Sequence, residues 1–351
     1  MIQTYSSTIR RKEMDAVLTC MVDEKIGPGE MNVRLTQVVK EFLNIDGCVA
    51  FRSPNIALKY ALEAIDLPLE SGVMISALAP IWQFQTIMAL GYKPILLDVS
   101  VDTALVFQES VEQGIKNGGR LLLLTHTMGN IPDMDSLLAF GIPIIEDISQ
   151  SLGAFRHLPP KEDTDEVEIQ KAGTMGVYSI MGLEERDIVT GGGGAVLIAP
   201  SRREWIVLKH LVEKAPSTDI LPDLNSALAF VQLKEFNRNH QIRQDIFEAF
   251  QKALMSSRHK TFLRTQNGVS AAYTFPVLLN SGFKDVKQYA ARKGVEIGYA
   301  FENSVAEYLK EELADCVNAK SLLLRTANFP LYPRLGNSQV SSIIKVLGTL
   351  P

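Results

Sequence analysis

A chain of 351 residues can bury a large core and has room for two or three domains. Its composition, 46% apolar and 21% charged, is that of an ordinary globular protein. A net charge of −5 and a pI near 5.7 argue against nucleic acid or an anionic membrane as the main partner.

The opening, M-I-Q-T-Y-S-S-T-I-R-R-K, lacks the apolar centre of a secretory signal, and no apolar run is long enough to span a bilayer. Three widely spaced cysteines, Cys20, Cys48 and Cys316, suggest reduced thiols and a cytoplasmic location, and no cysteine–histidine cluster has zinc spacing. Residues 9–43 read as helical, with apolar positions at Met14, Val17, Leu18 and Met21, a Gly-Pro-Gly break at 27–29 and a second helical stretch from Val33 to Leu43. G-C-V-A-F at 47–51 is a short strand, and Ser53 followed by Pro54 reads as the N-cap and first residue of a helix. A strand at 73–77 leads to an apolar helix start carrying Trp82, and further strands are expected at 95–97 and 121–124. His126, at the end of the last of these, has no acid or nucleophile near it in sequence and reads as a residue that shapes a crevice.

The stretch from Ile142 to Ala154, I-P-I-I-E-D-I-S-Q-S-L-G-A, is a buried strand that ends in two carboxylates and a polar turn. In an open parallel sheet, ligands sit at the carboxyl ends of strands, so Glu146 and Asp147 lie where chemistry is done. A carboxylate aimed into such a crevice suits a cationic ring nitrogen, because the ion pair keeps the nitrogen protonated. The acidic stretch up to Lys171 reads as an exposed loop. Strands at 176–180 and 195–198 flank the run Gly191 to Gly194, which lacks nucleotide-cradle spacing and reads as a flexible turn. Helix is expected from Arg203 to about Lys214, and then L-N-S-A-L-A-F-V-Q-L-K-E-F at 224–236 begins a helix that connects two domains. Beyond residue 260 the pattern is α+β.

The motif E-D-x-x-Q-x-x-G-A, with T-H-T-M-G-N-I-P-D-M-D before it and N-F-P-L-Y-P-R-L-G-N-S-Q-V near the end, resembles the DegT/DnrJ/StrS-type sugar aminotransferases. These are pyridoxal-phosphate enzymes of fold type I that act on keto-sugar nucleotides. The resemblance covers essentially the whole chain. It implies an α/β protein: a large domain over 1–239 with a mostly parallel seven-stranded sheet, and a smaller α+β domain over 240–351. It also implies that Asp147 meets the pyridinium nitrogen, Gln150 the 3-hydroxyl and Ser179 the phosphate. Ser53 and Asn55 stand at the phosphate-binding strand–helix junction, and Trp82, two residues past the family's stacking aromatic, supplies a stacking face.

The family's Schiff-base lysine has no counterpart. Counting back from Gly191 puts Arg186 in its place, counting forward from Ser179 puts Glu184 there, and no lysine occurs between Ala172 and Leu208. Arginine stays protonated in proteins and glutamate forms no imine. Related sugar 3-dehydratases use histidine at this position, and none stands between Leu158 and Lys209. Losing a general base alone costs ~10²–10⁴ in rate. Pro54 removes an amide from the phosphate cradle, and Thr218 and Ile220 stand where the family has its cross-subunit Asn-x-Arg. No catalytic residue is therefore assigned. The expectation is a degenerate homologue that binds pyridoxal phosphate weakly and non-covalently or lacks it. It would keep a nucleotide-sugar crevice and form a homodimer or a heterodimer with an active paralogue. The alternatives are an active aminotransferase using a displaced lysine such as Lys171 or Lys209, or another acid–base reaction through Asp147, His126 and Glu184 or Glu185.

Overall fold

A computed structural model of the chain describes residues 1–159, 168–265, 267–309, 313 and 315–351. Nine strands fall in its first two hundred residues: β1 (Gly47–Phe51), β2 (Gly72–Ser76), β3 (Lys93–Leu97), β4 (Gly119–Thr125), β5 (Ile144–Asp147), β6 (Phe155–His157), β7 (Ile169–Lys171), β8 (Tyr178–Gly182) and β9 (Ala195–Ala199). Seven of them form one sheet in the order β1-β9-β8-β5-β4-β2-β3. Only β9 runs against the others. All seven strands expected from the apolar runs are in this sheet, displaced by at most two or three residues at their ends.

The sheet is covered on both faces, which is why its strands read as continuous apolar runs and not as alternating ones. Ile144 and Ile145 of β5, Leu121 to Leu124 of β4 and Ala195 to Ala199 of β9 are all buried. Because β5 lies between β4 and β8, its end is flanked by the ends of both neighbours, with Thr125 and Ile180 each opposite Asp147. The sheet places the paired carboxylates in the middle of its carboxyl edge.

The acidic stretch before Lys171 begins and ends in strands: β6 and β7 pair antiparallel, and a short β10 (Gly268–Val269) joins them. The exposed loop expected there falls mostly on residues outside the described set. The smaller unit has β11 (Phe275–Leu278), β12 (Gly298–Tyr299) and β13 (Thr326–Phe329) in one antiparallel sheet, order β11-β13-β12. It is backed by the helices Phe283–Arg292 and Asn337–Leu347 and by the long helix Phe236–Leu254.

Two local arrangements differ from the sequence pattern. In the helix Arg11–Val22, Met14, Leu18 and Met21 face outward, each more than half exposed, while Glu13 is buried. Glu13 accepts from the Arg10 amide (3.0 Å) and from Gln232 Nε2 (3.3 Å) on the helix Asp223–Lys234, which satisfies its buried carboxylate. The first residues are also tied down at long range. The Ile2 amide donates to Gly294 O (2.7 Å) and Glu296 N donates to Ile2 O (2.9 Å), so this segment forms a wall of the smaller unit. Among the described residues no helix is long and apolar enough to cross a membrane.

Candidate functional site

The two carboxylates at the end of β5 have opposite surroundings. Glu146 is fully buried and accepts three backbone amides from the turn before β8: Gly173 N (2.9 Å), Met175 N (2.7 Å) and Gly176 N (2.6 Å). His126 Nε2, also fully buried, lies 3.2 Å from Oε2, the oxygen that accepts Gly173 N. Desolvation brings the His126 pKa down to about 3, so the imidazole is neutral, and burial pushes the Glu146 carboxyl up against the pull of its amides. This half of the site is a structural knot around Glu146, and both ring nitrogens of His126 are buried beside it without a hydrogen-bond partner among the described residues.

Asp147 faces the other way. Its Oδ1 accepts from Ser149 N (3.0 Å) and Ser149 Oγ (2.6 Å), and its Oδ2 from Gln83 Nε2 (2.7 Å). Gln83 also donates to Thr125 Oγ1 (2.9 Å) while its own carbonyl oxygen is buried without a partner. Burial raises the Asp147 pKa and the Ser149 and Gln83 bonds work against the rise.

The loop between β8 and β9 supplies the second acid. Leu183 N continues the ladder to Gly194 O (2.9 Å), and the chain returns through Gly192, Gly193 and Gly194, all at positive φ, where a side chain would be strained. Within this loop Glu184, Glu185 and Arg186 point outward and are exposed, whereas Asp187 turns in. Its carboxylate packs on Gly182: a Cβ there would sit 2.2 Å from Asp187 Oδ2 and 2.6 Å from Ser149 Oγ. Asp187 therefore lies beside the Ser149–Asp147 pair. Burial first, then the nearby negative charges of Asp147 and Glu184, hold its carboxyl well above the usual range, against the bond from Glu184 N. Arg186 instead reaches Glu302 (3.3 Å) and lies over the Tyr5 ring.

A crevice of about 400 Å³ opens next to this acid pair. Gln150, Arg186, Asp187, Arg243, Tyr273 and the segment 3–6 are among its lining residues. Of the side chains expected to hold a cofactor, only Gln150 lines it, and Gln150 Oε1 already accepts from Met128 N (2.8 Å). Ser179 is fully buried and donates to Gly173 O (2.8 Å). Ser53 caps its own helix through Ile56 N (3.3 Å), with Pro54 at the first helical position. Asn55 donates to Thr86 Oγ1 (2.8 Å), which ties that helix to the one carrying the half-buried Trp82. Lys171 points away, bonding Phe42 O across its ring, and Lys209 is exposed on the helix Arg202–Val212. Lys287 does line the crevice, at its rim.

Residues 7–348 match the profile of the DegT/DnrJ/EryC1/StrS aminotransferase family. The chain belongs to that family. Solved structures agree on the fold across the whole length. The aminotransferase TlmJ from Streptoalloteichus hindustanus superposes with a TM-score of 0.84 at 18% identity, covering 99% of this chain and 98% of its own. DesV of S. venezuelae, in complex with a ketimine intermediate, gives 0.84 at 16% identity over 96% and 93% of the two chains. GDP-4-keto-6-deoxymannose-3-dehydratase (ColD) gives 0.83 at 14% identity over 99% and 100%.

Several residues of this family member's site were silent in the sequence. Gln83 had a readable signal, a polar residue inside the apolar run I-W-Q-F. Asp187 had none, since its inward turn depends on how the loop closes. Tyr5 and Arg243 reach the crevice only because distant segments fold over it.

Proposed function

We propose that this chain is a degenerate member of the sugar aminotransferase family, serving as a binding or partner subunit in nucleotide-sugar or surface-polysaccharide metabolism. The observation that carries this reading is Asp187. Where the family places an amine on the β8–β9 loop, this chain turns a second acid toward Asp147. Neither Asp147 nor Asp187 can form an imine.

Pyridoxal phosphate does not fit these residues as a covalently held group. Ser53 Oγ accepts from Ile56 N, Ser179 donates to Gly173 O, Asn55 Nδ2 donates to Thr86 Oγ1, Gln150 Oε1 accepts from Met128 N, and Asp147 is bonded to Ser149 and Gln83, so each of these side chains already holds a protein partner. Any residual binding is weak and non-covalent. Lys287 favours the alternative, an active enzyme with a displaced amine, because it is the lysine that lines the crevice. Incubation with pyridoxal phosphate, borohydride reduction and peptide mass spectrometry decide between the two. We expect no stoichiometric pyridoxyl adduct, and one on Lys287, Lys171 or Lys209 overturns the degenerate reading.

The same reading includes pairing with a second copy. The outward stripe Met14, Leu18 and Met21 supports it, since an apolar helix face of this kind marks a contact surface. Light scattering should give a dimer mass, and a monomer at all concentrations counts against it.

A further inference from the structure

Arg243 has no partner that accounts for it. It lies on the long helix Phe236–Leu254, lines the crevice and is only 9% exposed. Among the described residues its one hydrogen bond runs from Nη2 to Ile188 O at 3.4 Å, and its Nε is buried with no acceptor. Among the described residues no carboxylate is within ion-pair distance of it. Of the other charged residues that line the crevice, Arg186 pairs with Glu302 and Glu296 accepts from Thr4 N (3.4 Å), Lys287 stands at the rim, and Asp187 is the acid beside Asp147, bonded to Glu184 N. Burial lowers the Arg243 pKa to about 10, so the guanidinium still carries its charge at neutral pH.

A charged guanidinium buried without a counter-ion is costly, and its planar fork matches the oxygens of a carboxylate or phosphate. Tyr5 and Tyr273 stand next to it. Burial, with the nearby charge of Asp187 adding to it, raises both phenols, so they stay neutral; Tyr5 shares a hydrogen bond with Ser7, and Tyr273 can donate to an anion. Lys287 adds positive charge at the rim. A volume of about 400 Å³ is that of a small-metabolite site.

We infer that Arg243, with Tyr5 and Tyr273, forms a receptor in this crevice for the compact oxyanion, carboxylate or phosphate, of a small metabolite. The inference rests on the crevice being a binding site, as proposed above, and is independent of whether a lysine there forms a Schiff base. Borohydride trapping and anion binding therefore fail separately.

The test is thermal denaturation of the full chain titrated with sodium phosphate, and separately with sodium succinate. Sodium chloride at matched ionic strength is the control, and concentrations stay at low millimolar, below the range where phosphate stabilises proteins generally. A saturable rise in melting temperature with either anion is expected, and the anion that produces it identifies the headgroup. Arg243→Met should bind it at least about tenfold more weakly, a loss of ~1.4 kcal/mol. If Arg243→Met does not fold, Arg243→Lys keeps the charge but loses the fork and should still weaken binding several-fold. No rise beyond chloride in the unmodified chain overturns the inference. So does a full response in whichever of the two variants folds.

Discussion

Glu146 and Asp147 are neighbours in sequence, equally buried at the end of one strand, and they do different work. Glu146 is surrounded by three amides and a neutral histidine, all supplied by the protein. Asp147 also accepts three donors, two from Ser149 and one from Gln83, but it lies across Ser149 from a second acid, Asp187, which lines an open crevice. A carboxylate that is fully hydrogen-bonded inside the fold holds structure together. One placed next to a like charge stores unfavourable electrostatic energy, a pattern characteristic of functional sites.

Replacing Glu146 should have the largest effect. Glu146→Ala strands three amides at about 1–3 kcal/mol each, so a loss of at least about 3 kcal/mol is expected in urea denaturation. A loss below 1 kcal/mol would mean the amides find water and the knot is not structural. Next comes Gly182→Ala, whose methyl would overlap the Asp187 carboxylate and Ser149. It should cost about 1–3 kcal/mol. In the Asp187→Gly background part of that cost should vanish, with the Ser149 contact remaining, and equal costs in the two backgrounds would show that Asp187 does not sit on Gly182.

The smallest effect is a pH dependence. The folded chain raises the Asp187 pKa above its ordinary value of 3.8, so the native state holds the proton more tightly than the unfolded state. That contribution to stability is fully present below about pH 4 and is lost as pH rises through the folded value. Asp187→Asn should therefore stabilise the protein at pH 8 by about 1 kcal/mol and make little difference at pH 4. Urea midpoints at the two pH values check this, and an equal change at both would place Asp187 in solvent. His126 acts in the opposite sense: its contribution is present above pH 6.5 and is lost as pH falls toward about 3.

The scaffold was legible because it is written in contiguous runs. Ile144-Ile145, Leu121 to Leu124 and Ala195 to Ala199 each announce a buried strand with no help from the rest of the chain. The knot at Glu146 was not legible, because its amides come from residues 173–176, nearly thirty positions away. The helix Arg11–Val22 was legible as a helix, but not its outward apolar face, because the partner of its buried Glu13, Gln232, lies more than two hundred residues away. The crevice was the least readable part. Tyr5, Asp187, Arg243 and Tyr273 belong to four separate segments, and no local pattern marks any of them.

That separation also sets an order of events during synthesis. The segment around Tyr5 is fixed by Gly294 and Glu296, nearly three hundred residues downstream. The seven-stranded sheet is complete in sequence at Ala199, so it can form while the ribosome is still making the second half. The crevice cannot. Until residue 296 has emerged, its wall is missing, Arg243 is open to water, and a nascent chain with a native-like sheet has no enclosed site for an anion.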